Sequence, residues 1–179
     1  MATEELKNIR IVLEQFGLEA VQKARENLER ERIIRGKKAQ RIASGKLRDD
    51  LRYTFWKRGK KDVVIVTTGE KETRNYADVI DKGRRPNRKP PPLEAIVAWI
   101  KIKGIPVRDM ATGRFVERSK ENIERAANAI RWSVGKKGIE GIHYFEEAIT
   151  ATLNEFDPKI INAALVDIEA RLKADKYIK

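Results

Sequence analysis

In this chain of 179 residues the clearest strand is one short run, DVVIVTT at 62–68; most other apolar residues recur three or four positions apart. The run is β-branched and bounded by turn residues, as strands are. Its centre, Val63–Val66, is continuously apolar, which predicts cover on both faces. Elsewhere the period is helical. Leu6, Ile9, Leu13, Phe16, Ala20, Ala24 and Leu28 fall on one stripe. A chain patterned this way is expected to be α+β. It would have a long N-terminal helix, a small antiparallel β-sheet packed by several helices, and an extra C-terminal helix.

The first helix is expected from Thr3, as N-cap, to about Arg35, with Glu4 and Glu5 favoured near the positive end of its dipole. Gly17 should weaken it by ~1 kcal/mol relative to Ala. Past Leu28 the stripe thins into ERERIIRGKKAQR, a basic arm carrying Arg30, Arg32, Arg35, Lys37, Lys38 and Arg41. Residues 1–43 thus form a helix and arm, 44–156 an α+β core, and 157–179 a C-terminal helical extension. In the core, Ser44 caps a short helix on which Leu47 and Leu51 share a face. Tyr53, Phe55 and Trp56 are expected to bury against the body, and RGKK at 58–61 to turn. TGEKETR reads as a loop or hairpin connection. YADVIDKG at 76–83 fits a short helix or a bent edge strand that stops at Gly83.

PPLEAIVAWIKIKG at 91–104 predicts a helix with proline in its first turn and Leu93, Ile96, Val97 and Ile100 on one face. The segment after it is either a hairpin around Thr112-Gly113 or a mobile loop. Ser119 caps a helix over about 120–134, and GKKGIEG is a glycine-punctuated turn. The stretch at 142–156 is helical from Tyr144. Asp157-Pro158 then reads as a cap plus first-turn proline, opening a separate last helix to about Asp175.

Charge narrows the function. Charged residues make up 37% of the chain and the net charge is +12, which favours contact with a polyanion or acidic protein. From Gln22 to Lys61 there are fifteen Lys and Arg against five acids, whereas acids outnumber bases from Glu140 onward. The absence of cysteine excludes disulfides and thiolate metal sites and fits a reducing cytoplasm. A single histidine, His143, leaves no imidazole pair for a metal. MATEELKNIR lacks the apolar core of a signal peptide, and no apolar run approaches the ~18 residues of a membrane span.

Motifs for catalysis fail on spacing. GKKG at 135–138 lacks the phosphate-loop pattern and reads as a helix stop. Ser44, Ser119 and Ser133 have only His143 as a conceivable base, and His143 reads as a partly buried structural residue. Asp62, Glu70 and Glu72, or Asp49 and Asp50, do not match a compact nuclease set, so a metal-dependent nuclease is the weakest alternative. Trp56, Trp99 and Trp132 lie in or beside apolar patterns and are expected in the core. No catalytic residue, metal or cofactor is therefore assigned. What remains is charge without a sequence-reading device, which allows a non-specific nucleic-acid-binding protein as an alternative.

The densest cationic stretch is GRRPNRKPPP at 83–92, with Arg84, Arg85, Arg88 and Lys89 between prolines. Proline fixes its own φ and restricts the residue before it. Such a loop loses less entropy on docking than a glycine-rich one. Arginine's planar fork suits carboxylate or phosphate. The loop could clamp an acidic neighbouring subunit, including the stretch after Glu140 of another copy, or lie on DNA phosphates.

The order of these segments resembles a known family. SGKLRDDLR, DVVIVTT, YADVIDKGRRP, PPLEAIVAWIKIKGI and AANAIRWSVGKKGIEGIHYF follow one another as in head–tail joining proteins of tailed bacteriophages. These are the neck, or tail-completion, proteins of lambda-like siphophages. Asp81 stands where Glu is commoner, and 157–179 extends beyond the likeness. The resemblance implies a structural virion protein made in the host cytoplasm and placed at the head–tail junction. Copies would form a homo-oligomeric ring contacting head-connector and tail proteins. The genome would pass through the centre, with sequence-independent DNA contact, no membrane partner and no enzymatic role.

Overall fold

A computed structural model describes residues 6–34, 36–39, 44–58, 61–109 and 111–174. The fold is α+β, as the sequence patterning predicts. Helix α1 (Lys7–Glu29) lies along the last helix, α6 (Tyr144–Ala174). Between them come α2 (Lys46–Asp50), the strands β3 (Leu51–Arg58) and β4 (Lys61–Thr68), and α3 (Lys71–Lys82). Then follow α4 (Leu93–Ile102) and α5 (Lys120–Lys137). Two small ladders complete the set: β1 (Arg32–Ile34) with β2 (Lys37–Ala39), and β5 (Gly83–Arg84) with β6 (Ile139–Glu140).

The main hairpin pairs in full register from Leu51 opposite Thr68 to Arg58 opposite Lys61. Leu51, Tyr53 and Phe55 point inward, whereas Arg52, Thr54 and Trp56 point out, as a period of two requires. Gly17 sits where α1 crosses this sheet. A Cβ there would come within 2.6 Å of the Tyr53 ring, so the residue expected to weaken the helix is what lets the sheet approach. The run Val63–Val66 is not covered on both faces, because Ile65 opposes Thr54 on the outer face and remains 38% exposed.

The first core joins Val21, Ala24 and Leu28 of α1 to Leu47, Leu51, Ile80, Ile142 and Tyr144. The second is built by Ile100 of α4, Val107, and Ile123 and Ala127 of α5. Leu93, Ile96 and Val97 pack onto it, as their spacing predicts. Ser119 Oγ accepts from the Asn122 amide at 3.2 Å and caps α5. Residues 107–109 and 111–116 pair as the hairpin rather than forming a loop. Val116 N donates to Val107 O at 3.0 Å, and Asp109 gathers the Ala111 and Thr112 amides at its tip.

Several boundaries differ from the sequence expectation. Helix α1 ends at Glu29, and β-branched Ile33 and Ile34 around Gly36 make a hairpin of what reads as a helix end. Thr3, its expected cap, lies outside the described residues. Instead, Asp167 of α6 accepts from the Asn8 and Ile9 amides at 3.1 and 2.9 Å, supplying a cap from the far end of the chain. Helix α3 starts at Lys71, inside the expected loop. Helix α5 continues to Lys137, so the first three residues of GKKGIEG are helical.

Helix α6 runs unbroken through Asp157 and Pro158, with no separate last helix among the described residues. Proline removes one helical hydrogen bond and normally kinks or ends a helix. Here the turns on both sides are held against α1. Phe156 meets Phe16 edge to face at 5.9 Å, Lys23 pairs with Glu155 at 2.8 Å, and Asp167 grips Asn8.

Candidate functional site

The cationic loop is stapled down through its own backbone. At its start, Gly83 pairs with Glu140 and Arg84 with Ile139. Further on, Asn87 N donates to Lys136 O at 3.3 Å and Arg88 N donates to Gly135 O at 3.0 Å. Those carbonyls belong to the last turn of α5, where a helix leaves acceptors without internal partners. The loop thus caps α5 from outside, and its cations sit at the negative end of that helix dipole. Gly138, at φ +71°, stops α5 directly beneath the loop, and a Cβ there would collide with the Arg84 carbonyl oxygen. GRRPNRKPPP and GKKGIEG, some fifty residues apart in sequence, are therefore two halves of one unit.

Side chains divide by role. Arg84 is half-buried, and its guanidinium donates to the Lys89 carbonyl, locking the loop on itself. Arg85, Arg88 and Lys89 are exposed. Among the described residues their side chains make no hydrogen bond or ion pair.

The basic arm is a different matter. Arg32 grips Glu147 of α6 through both guanidinium nitrogens, at 2.8 and 2.5 Å. This pairing raises Arg32 and holds the Glu147 carboxyl below its usual range. Arg32 is thus committed internally rather than to a partner. Lys38 is exposed and 3.7 Å from Glu31, Arg30 is exposed at the end of α1, and Lys37 lies in β2. Arg35 and Arg41 fall outside the described residues.

The acids after Glu140 are also largely engaged at home. Glu147 holds Arg32, Glu155 holds Lys23 and Lys159 at 2.8 and 3.0 Å, and Asp167 holds Asn8 and Ile9. Glu146 meets His143 at 3.1 Å. Asp157 and Glu169 are exposed on α6 and make no ion pair among the described residues.

Residues considered for catalysis take structural roles. His143 is exposed rather than partly buried, and its amide donates to Asp81 O at 2.9 Å. Tyr144 is the buried neighbour. Burial, with the charges of Asp81 and Asp78, pushes its phenol well above the usual tyrosine range. Glu70 pairs with Lys46 at 2.8 Å, Asp49 with Arg48 at 2.7 Å, and Asp50 accepts from the Glu70 amide at 2.9 Å. Asp62 lies opposite Lys57 on the main hairpin. Among the described residues no three His, Asp or Glu converge on a possible metal position, and no helix is long and apolar enough to cross a membrane.

No protein-family model, curated protein or solved structure matches this chain.

None of the three tryptophans expected in the core is buried: Trp56, Trp99 and Trp132 are 56%, 38% and 63% exposed. The signal was available in the spacing. At 100° per residue, Trp132 lies opposite Ile123, on the outer side of α5. An open groove of about 680 Å³ lies between α1, β3 and α6, floored by Leu51, Tyr53 and Phe156.

Proposed function

We propose that the chain is a structural virion protein of the phage neck. Copies of it form a ring that joins the head connector to the tail and leaves a channel for the genome. The motif order in the sequence supports this reading, and so does the union of its two glycine-containing motifs in one stapled unit. The observation that carries it is an uncovered apolar row on α6. Ile161, Leu165 and Ile168 follow one another at four and three residues and are 60%, 53% and 50% exposed. A contiguous exposed apolar row of this kind is a feature that marks interaction surfaces. In a head-to-tail ring, two different surfaces of each copy meet, and this row is one of them. The reading assigns no catalytic residue.

The test is native mass spectrometry and electron microscopy of the purified chain and of particles containing it. A closed ring, and density for the chain at the head–tail junction, is the expected result. A chain that stays monomeric at high concentration and is absent from the junction would overturn the reading. Three exposed cations on a stiff loop favour a second reading, a free nucleic-acid-binding protein, which the same size measurement separates from the first.

A further inference from the structure

The loop and α5 together make a surface that neither makes alone. Residues 82–92 and 125–138 contain no Asp or Glu but carry nine Lys and Arg, of which Lys82 pairs with Asp78, Arg125 pairs with Glu121 and Arg84 is bound to the Lys89 carbonyl. The hydrogen bonds from Asn87 and Arg88 to the α5 carbonyls hold the two stretches side by side. One turn before those carbonyls stands Trp132, with Lys136 one turn after it on the same side of the helix. Trp132 has the most exposed aromatic side chain among the described residues, at 63%. The Arg131 guanidinium lies 5.8 Å from its ring centre. The Arg131 Nε is buried and has no hydrogen-bond partner among the described residues.

We propose that this composite surface binds single-stranded nucleic acid. Trp132 is the platform on which a base stacks, and Arg85, Arg88, Lys89 and Lys136 contact the phosphates. The chemistry fits in three respects. Exposed cations set close together, Arg85, Arg88, Lys89 and Lys136, can track a phosphodiester backbone, and the release of its counterions drives binding. An open indole beside those cations offers a π face that any unpaired base can use, whereas bases in a duplex are already stacked. Glu147, Glu155 and Asp167 already have partners within the chain, which leaves fewer C-terminal acids to meet this surface from another copy. Asn87 and Asn128 are exposed beside it, but stacking and phosphate contact use features every base and nucleotide shares, so binding is largely indifferent to sequence. The inference rests on the loop and α5 alone and stands whether or not the chain forms a ring.

The experiment uses the full chain with a fluorescent 20-nucleotide oligo(dT), a 20-base-pair duplex and polyglutamate, at low and moderate salt. Oligo(dT) is expected to bind most tightly, to quench tryptophan emission, and to weaken steeply as salt rises. Trp132→Ala should cut oligo(dT) affinity by about tenfold, within the range measured for one stacked base, and leave duplex binding unchanged. Trp132→Phe should restore most of it, a rescue that lost charge or altered folding would not give. Arg88→Glu with Lys89→Glu should abolish both. The proposal is overturned if oligo(dT) does not bind at low salt, if Trp132→Ala binds it as wild type does, or if polyglutamate binds equally well. Native mass measurement of the same samples keeps the two readings apart. A ring that ignores oligo(dT) defeats only this inference, and a monomer that binds it defeats only the ring.

Discussion

The backbone amide of Phe145 donates to the carboxylate of Asp81 at 2.8 Å, so the end of α3 caps the start of α6 across 64 residues of chain. Two other helices begin in the same way. Asp167 receives the Asn8 and Ile9 amides at the start of α1, and Asp50 receives the Glu70 amide at the start of α3. Asp81 is buried and its carbonyl also accepts from His143 N, so it fixes how α6 leaves the stapled unit. Asp81→Ala should lower stability by about 1–2 kcal/mol, the usual cost of a lost cap. Asp157→Ala, in the exposed middle of the same helix, should change it by less than ~0.5 kcal/mol. Urea midpoints at constant slope measure both.

Gly17→Ala separates helix propensity from packing. Propensity alone would stabilise α1 by ~1 kcal/mol. The added methyl would press into the Tyr53 ring and against Val64, and overpacking of this kind costs about 1–3 kcal/mol. Net destabilisation is expected, read as a lower melting temperature.

Gly138→Ala should loosen the loop from α5. The residue holds φ +71°, and its new methyl would meet the Arg84 carbonyl. The left-handed backbone alone costs ~1–2 kcal/mol for a residue with a side chain. Hydrogen exchange at the Asn87 and Arg88 amides should accelerate in the variant.

Acid should undock α1 from α6. Burial favours a protonated Asp167, but the hydrogen bonds from Ile9 and Asn8 outweigh it and hold the carboxyl below the ordinary aspartate range. Asp50 is held low chiefly by the Glu70 amide. A group depressed on folding contributes stability above its unfolded pKa, about 3.9 for Asp, and loses it as pH falls toward the folded value. Stability should therefore be level near neutrality and fall below about pH 4. The fall should be shallower in Asp167→Asn, as followed by urea unfolding across pH.

Glu147→Gln should release the β1–β2 hairpin. Arg32 ties that hairpin to α6 through a half-exposed carboxylate, and such pairs contribute at most ~1 kcal/mol to global stability. Exchange at residues 32–34 should rise severalfold while the global unfolding midpoint barely moves.

Local periodicity carried much of the fold. The stripe Leu93, Ile96, Val97 and Ile100 and the Ser119 cap are short-range signals, and each lies where the spacing puts it. Events decided by distant residues were not legible. The Asp157-Pro158 pair is a sound start signal locally, yet α1, over a hundred residues earlier in the chain, holds the helix together across it. Arg32 reads as one more surface cation until Glu147 is seen to take it. At the candidate site, the exposed cations of the loop were visible in the composition. That α5 carbonyls anchor the loop was not, because no local pattern announces which amide reaches which helix end. Trp132 was readable and misread, since adjacency to Ile130 and Val134 says less than its angle around the helix.

Asn87 and Arg88 hold α5 by main-chain atoms alone. The contour of this region therefore does not depend on which side chains positions 85, 88 and 89 carry. Neutral residues could replace them without breaking a docking hydrogen bond, so what the surface recognises can be retuned while its outline is inherited.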